Sequence, residues 1–253
     1  MFVEMVQSQS LNFVLPSTWD DTKENHFLHK WMDSLTSEYH KFFAFLLENR
    51  MYAQSWTKLS ESDAMWRIYS FDKKSLRIKI DTSEVERLNG IRVEPVIYSD
   101  EEIDYSNSGM NYMNIFCKLI AQKREAFRHE EEIRLIYLEG TEIERLPKTF
   151  DSVILAAKLR FNKATDSDLD KVPFEKFSDD MDYVNIFNQK KHHQVSFSTI
   201  PNFIKGVLVN PFASKWYVDT VKTYCELNNI PFEGKSELYK ADEYIYRNSN
   251  GVK

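Results

Sequence analysis

The densest run of reactive side chains is Phe127-Arg-His-Glu-Glu-Glu-Ile-Arg-Leu-Ile-Tyr137. If the chain is extended from Glu130, alternation puts Glu130, Glu132 and Arg134 on one face and Glu131, Ile133 and Leu135 on the other. Two carboxylates side by side at the start of a strand can position a hydroxyl, accept a proton or stabilise a developing cation. The same spacing suits a solvated edge on which Arg134 neutralises its neighbours, and charged clusters are more often surface than site. A second set is Tyr52-Ala-Gln-Ser-Trp-Thr57, where Ser55 and Thr57 share one side of a strand end and Trp56 takes the other. Their hydroxyls suit a carboxylate or a ribose, and equally the capping of a following helix. In Met65-Trp-Arg-Ile-Tyr69 the aromatics stand at helical spacing, able to stack on a planar ligand or to fill a core.

Other chemistries find less support. His26 and His29 are three residues apart on a helix but lack a third ligand, and His192-His193 falls in a Lys-rich stretch that reads as solvated, so no metal centre is expected. There is no G-x-S-x-G, and neither Cys117 nor Cys225 has an activating neighbour in sequence. The six glycines are scattered, so neither a Walker loop nor a dinucleotide-binding fingerprint is present. A nucleotide, if bound, is held without a glycine-rich cradle.

The elements that must carry these residues follow from periodicity. Leu11 to Leu15 reads as a strand. Leu28, Trp31, Leu35, Tyr39, Phe42 and Leu46 step by three or four through one long amphipathic helix over 24–48. Tyr52 to Thr57 is a strand, and Ser60 with Asp63 marks a helix start. Leu76 to Ile80 and Ile91 to Tyr98 are strands, and Asp100 to Asn111 is an acidic loop. Phe116, Leu119, Ile120 and Phe127 define a helix bearing Lys123, Arg124 and Arg128. Ile133 to Leu138, Ser152 to Leu159 and Val195 to Phe197 are strands. The segment 162–194 reads as an exposed excursion. Lys205 to Val209, a helix through Tyr217, Val221 and Tyr224, and a strand near Ser236 to Tyr239 form a closing β-α-β unit. Helices and strands are mixed without strict alternation, so the expectation is α+β, a single mixed-sheet domain over 1–253.

Composition bounds the rest. With 253 residues, 42% hydrophobic and 14% aromatic, the chain can build a sizeable core. A net charge of −6 argues against a broad nucleic-acid-binding surface while leaving room for a local basic groove. Two cysteines make no disulfide framework. The N-terminus carries no signal-peptide pattern, and no apolar run nears the ~20 residues of a membrane span. A cytoplasmic location is expected.

Several of these pieces together resemble the bacterial and phage family called domain of unknown function 2971. They are Leu11-Asn-Phe-Val-Leu-Pro-Ser-Thr-Trp-Asp-Asp21, Ala53 to Thr57, Met65 to Tyr69, Phe127 to Leu135, and Val207 to Ser214 with Ser236 to Tyr239. A second resemblance, to ADP-ribosyltransferases, lies in the order of a Ser-x-Thr strand, an aromatic-bearing helix and a Glu-x-Glu strand start. That likeness implies NAD as the bound substrate. Ser55 would orient the catalytic Glu132, Glu130 would serve the acceptor, and Thr57, Tyr52, Trp66 and Tyr69 would line the NAD cleft. It further implies a macromolecular acceptor (RNA, DNA or protein) and a toxin or phage-defence role with an antitoxin partner. Both groups carry an Arg, His or Tyr on a first strand upstream of what corresponds to Met1 to Leu11, and Arg50 is the only arginine before Ser55. The competing expectations are a non-catalytic nucleic-acid- or protein-binding module, and a metal-dependent nuclease using Glu130, Glu132 and Asp20 or Asp21.

Overall fold

A computed structural model describes residues 2–19, 21, 23–36, 44, 48–88, 90–105, 108–110, 112–138, 190–197 and 199–240. In chain order its elements begin with α1 (Phe2–Ser8), β1 (Ser10–Val14), a 3-10 turn (Pro16–Thr18), α2 (His26–Ser34), β2 (Met51–Thr57) and α3 (Asp63–Ile68). They continue with β3 (Leu76–Ile80), α4 (Thr82–Glu86), β4 (Ile91–Pro95), β5 (Ile97–Tyr98), α5 (Tyr112–Ile120) and β6 (Gln122–Lys123). A 3-10 helix (Glu125–Glu130), β7 (Glu132–Leu138), β8 (His192–Ser196), α6 (Ile200–Phe203), β9 (Ile204–Val209), α7 (Lys215–Leu227) and β10 (Phe232–Lys235) complete them. The class is α+β. The chain gathers into two compact units, one of residues 1–11, 59–88 and 196–253, the other of 12–58 and 89–195. Both are discontinuous in sequence, so no linker marks the division.

The second unit is built on a five-stranded sheet in the order β4-β7-β2-β1-β8. β2 and β7 run antiparallel from Met51 opposite Leu138 to Thr57 opposite Glu132. Alternation then gives the sheet two different faces. Met51, Ala53 and Ile136 join Leu28 of α2 and Phe116, Leu119 and Ile120 of α5 in the apolar core. The opposite face carries Tyr137, which meets Phe13 at 6.1 Å and stacks on His193 at 4.3 Å. His193 therefore packs against an aromatic ring, which corrects the solvated reading for that residue, while His192 is exposed.

Two helices end earlier than periodicity suggests. Leu35 is already extended, so α2 stops at Ser34; Tyr39, Phe42 and Leu46 lie outside the described residues. α5 stops at Ile120, and Gln122 and Lys123 pair in parallel with Ile97 and Tyr98. The strand expected over 91–98 breaks at Val96, whose N–H goes to Glu132 while that of Ile97 goes to Ala121. This change of partner brings Lys123 beside the start of β7. The strand expected over 152–159 and the excursion over 162–189 are outside the described residues.

The first unit holds a three-stranded sheet, β10-β9-β3, with β3 antiparallel and β10 parallel to the central β9. β9, α7 and β10 form the expected β-α-β unit, with Val221 and Cys225 of α7 buried. The last strand lies at Phe232–Lys235, ahead of its expected place, and residues 238–239 form a turn instead. Its register slips between Phe232 and Gly234, where Gly234 has φ +96°, and this bulge hides the alternation. A Cβ at Gly234 would meet nothing within 4 Å, so backbone strain alone sets the cost of adding one. Gly234→Ala is expected to cost about 1–2 kcal/mol, read as a lower urea midpoint with an unchanged slope. A neutral substitution would show that the bulge relaxes freely.

Candidate functional site

The carboxylates singled out in the sequence come together, by a different route from the one alternation suggests. Glu130 ends the 3-10 helix, and Glu131 takes a left-handed conformation at φ 43° before β7 starts at Glu132. Two bonds, from the last residue of β2 and the residue after it, fix this corner. The Thr57 hydroxyl donates to the Glu130 carbonyl at 2.6 Å, and the Lys58 N–H donates to the Glu131 carbonyl at 3.0 Å. The Tyr98 hydroxyl accepts the Glu132 N–H at 2.7 Å. Glu130 and Glu132 thus meet because a strained corner turns the chain, with Glu131 left outside and exposed.

What they meet is Lys123. Its Nζ lies 2.7 Å from Glu130 Oε2, 2.9 Å from Glu132 Oε2 and 3.7 Å from Glu24 Oε1. Arg134, with a side chain 0% exposed, completes the cluster. Its Nε is 2.8 Å from Glu132 Oε1, its terminal nitrogens reach Glu24 and the Ile120 carbonyl, and its guanidinium lies 4.3 Å over the Trp19 ring. Beside it Arg124 pairs with Asp21 at 2.7 Å. The solvated-edge reading is therefore corrected: Glu130, Glu132 and Arg134 are buried and lie in ion pairs.

The electrostatics follow from those contacts. Burial alone would raise the Glu132 carboxyl, but the charge and hydrogen bond of Arg134, a hydrogen bond from Ser55 and the charge of Lys123 hold it below the ordinary glutamate range. Burial alone would depress Lys123, yet its bonds to Glu130 and Glu132 and the nearby Glu24 carry it above the ordinary lysine range. Tyr98 is pushed up by burial, with the charges of Glu132 and Glu130 adding to it. At neutral pH the carboxylate of Glu132 and the ammonium of Lys123 are both charged, and Tyr98 is a neutral phenol.

The other expected site residues divide. Ser55 sits opposite Arg134 on the same sheet face as Glu132 and is exposed, and it helps to hold the buried Glu132 carboxyl below its ordinary range. Tyr52 is 0% exposed on the opposite face, so it does not line a site at Glu132. Trp66 and Tyr69 belong to the first unit, where Trp66 is buried and donates to Glu61 at 2.9 Å, and Tyr69 is 58% exposed. They form no stacking pair, because Tyr69 lies past the helix end that buries Trp66. Ser60 does not cap this helix; Ser62 does, and the Ser60 carbonyl accepts from Arg77. Thr57 spends its hydroxyl on the Glu130 backbone. Asp21 is held by Arg124, and Asp20 is outside the described residues. Among the described residues, no group of three His, Cys, Asp or Glu side chains could hold a metal ion. His29 instead contacts Glu48 at 2.9 Å. Nor is any helix among them long and apolar enough to cross a membrane.

Sequence reasoning missed Glu24, Lys123, Tyr98 and Trp19 as partners of this cluster. Fold and site together define an α+β protein with a buried acid–base cluster at the end of the central strand pair of its five-stranded sheet. No family model, curated protein or solved structure matches the chain.

Proposed function

We propose that the chain belongs with domain of unknown function 2971 and acts as an ADP-ribosyltransferase-like enzyme, cleaving NAD and transferring ADP-ribose to a macromolecule. The carrying observation is the buried Glu132 carboxylate at the start of β7, held ionised by Arg134 and Lys123 and lying on the same face of the paired strands β2 and β7 as the exposed Ser55. A carboxylate kept ionised in a low-dielectric setting is worth most where positive charge develops, as it does on the ribose when neutral nicotinamide leaves. Glu130, held beside it through Lys123, is the group for the acceptor. An effector of this kind calls for a cytoplasmic target and, in a toxin or phage-defence setting, an antitoxin.

Incubation with NAD labelled in the adenylate, with RNA, DNA and protein acceptors, tests this. Nicotinamide release and label transfer are expected, falling about 100-fold or more in Glu132→Gln. Ser55→Ala, at an exposed position, keeps the fold and is expected to lose about tenfold. Absence of NAD cleavage with every acceptor overturns the proposal.

One observation favours a second reading, a non-catalytic binding module. Both oxygens of Glu132 lie in ion pairs, and its side chain is only 4% exposed. Such a module binds its partner with Glu132→Gln as well as without it, and leaves NAD intact.

A further inference from the structure

Single exposed apolar side chains are ordinary on a protein surface, but their clustering is not. Of the ten large apolar side chains exposed among the described residues, seven fall in three short segments: Ile68, Tyr69 and Phe71; Phe212 and Trp216; Leu238 and Tyr239. Five of the seven are aromatic, and Phe71 is 95% exposed.

The topology of the first unit gathers the three segments. β3 starts at Leu76 opposite Val209, the last residue of β9, and Lys235, the last of β10, also aligns with Val209. The chain entering β3 and the chains leaving β9 and β10 therefore share one edge of the sheet. Side-chain contacts confirm it. Phe212 and Tyr239 lie 4.8 Å apart, the Tyr217 hydroxyl donates to the Lys74 carbonyl at 2.5 Å, and Lys235 Nζ donates to the Ala213 carbonyl at 2.9 Å.

Cations are interleaved with the rings. Arg67 lies 5.9 Å from the Tyr239 ring centre and Lys74 lies 5.7 Å from that of Trp216. Across residues 63–75, 210–217 and 235–240 the exposed cations are Arg67, Lys73, Lys74, Lys215, Lys235 and Lys240, against Asp63, which pairs with Arg67 at 2.7 Å, Asp72 and Glu237. The edge is net basic in a chain of net charge −6. An interface for another protein is ordinarily poor in lysine at its centre. Exposed rings that accept base stacking, set among cations that meet phosphates, are instead what an unpaired polynucleotide requires.

We propose that this edge binds a single-stranded polynucleotide, with Trp216, Tyr239 and Phe212 as stacking surfaces and Arg67, Lys73 and Lys74 on the phosphates. The proposal is independent of the Glu132 chemistry, since these residues belong to the first unit and the Glu132 cluster to the second. The test is fluorescence anisotropy of the full chain with labelled oligo-dT and oligo-rU of about twelve nucleotides, and with a duplex of equal length. Micromolar binding of a single strand over duplex is expected, weakening steeply with salt. Trp216→Ala should reduce affinity about tenfold, and Lys74→Ala should flatten the salt dependence by about one unit of slope. Leu227→Ala, 77% exposed on α7 away from the three segments, should change neither. No binding of either strand at about 100 µM protein and low salt, or binding indifferent to Trp216→Ala and Lys74→Ala, overturns the proposal and leaves the surface to a protein partner.

Discussion

Arg134→Ala is expected to cost about 3–5 kcal/mol of folding free energy, a large share of the stability of an ordinary domain. The guanidinium is fully buried and bridges Glu132 and Glu24 while donating to the Ile120 carbonyl at the end of α5. Truncation leaves three carboxylates, Glu24, Glu130 and Glu132, to share Lys123 and removes the Trp19 contact as well. The substitution strips one member from a set whose other side chains are 10% exposed or less, which is the costly way to break a buried ion pair. Arg134→Lys should recover only part of the loss. An ammonium restores the charge but not the planar fork that serves three acceptors, nor the flat surface over Trp19. Urea unfolding followed by circular dichroism measures both. A loss below about 1 kcal/mol in Arg134→Ala would show that the cluster collapses or hydrates without penalty.

Why this cluster escapes a reading of the sequence is a matter of range and of conformation. Alternation correctly puts Glu132 and Arg134 on one face of a strand, because β7 is regular from Glu132 onward. It puts Glu130 there for the wrong reason. A glutamate at φ 43° is uncommon, and no local pattern announces that Glu131 will turn the chain. Burial is equally hidden. Glutamate, lysine and arginine are ordinarily exposed, and the groups that neutralise this set come from far along the chain: Glu24 lies 110 residues from Arg134. The Lys123 position depends on α5 ending at Ile120, which apolar spacing through Phe127 obscures. Elements whose pattern is local were legible: β2, β3 and β9, and α7 with its buried Val221 and Cys225. Trp66 and Tyr69 show the opposite failure. Their helical spacing is real, but the helix ends between them and only one faces the core.

Lys123→Met is expected to reverse the pH dependence of stability. In the wild-type protein the folded Glu132 carboxyl is held below its unfolded value, so its contribution is present above about pH 4.5 and is lost as pH falls through the folded pKa. Lys123 is held above its unfolded value, so its contribution is complete below about pH 10.5 and is lost only as pH rises into more alkaline solution. Wild-type stability should therefore be broad across neutral pH and fall at both ends. Removal of the ammonium leaves Glu24, Glu130 and Glu132 with Arg134 as their only remaining cation in the cluster. Like charges so placed raise the Glu132 carboxyl once Lys123 is gone, and a carboxyl raised above its unfolded value favours the folded state at low pH. The variant should lose about 3–5 kcal/mol at pH 7 and regain a substantial part of it near about pH 4.5, where the wild type is already declining. Urea midpoints of both proteins across this range decide it. Parallel profiles would mean that the three carboxylates reach water or other cations once Lys123 is gone.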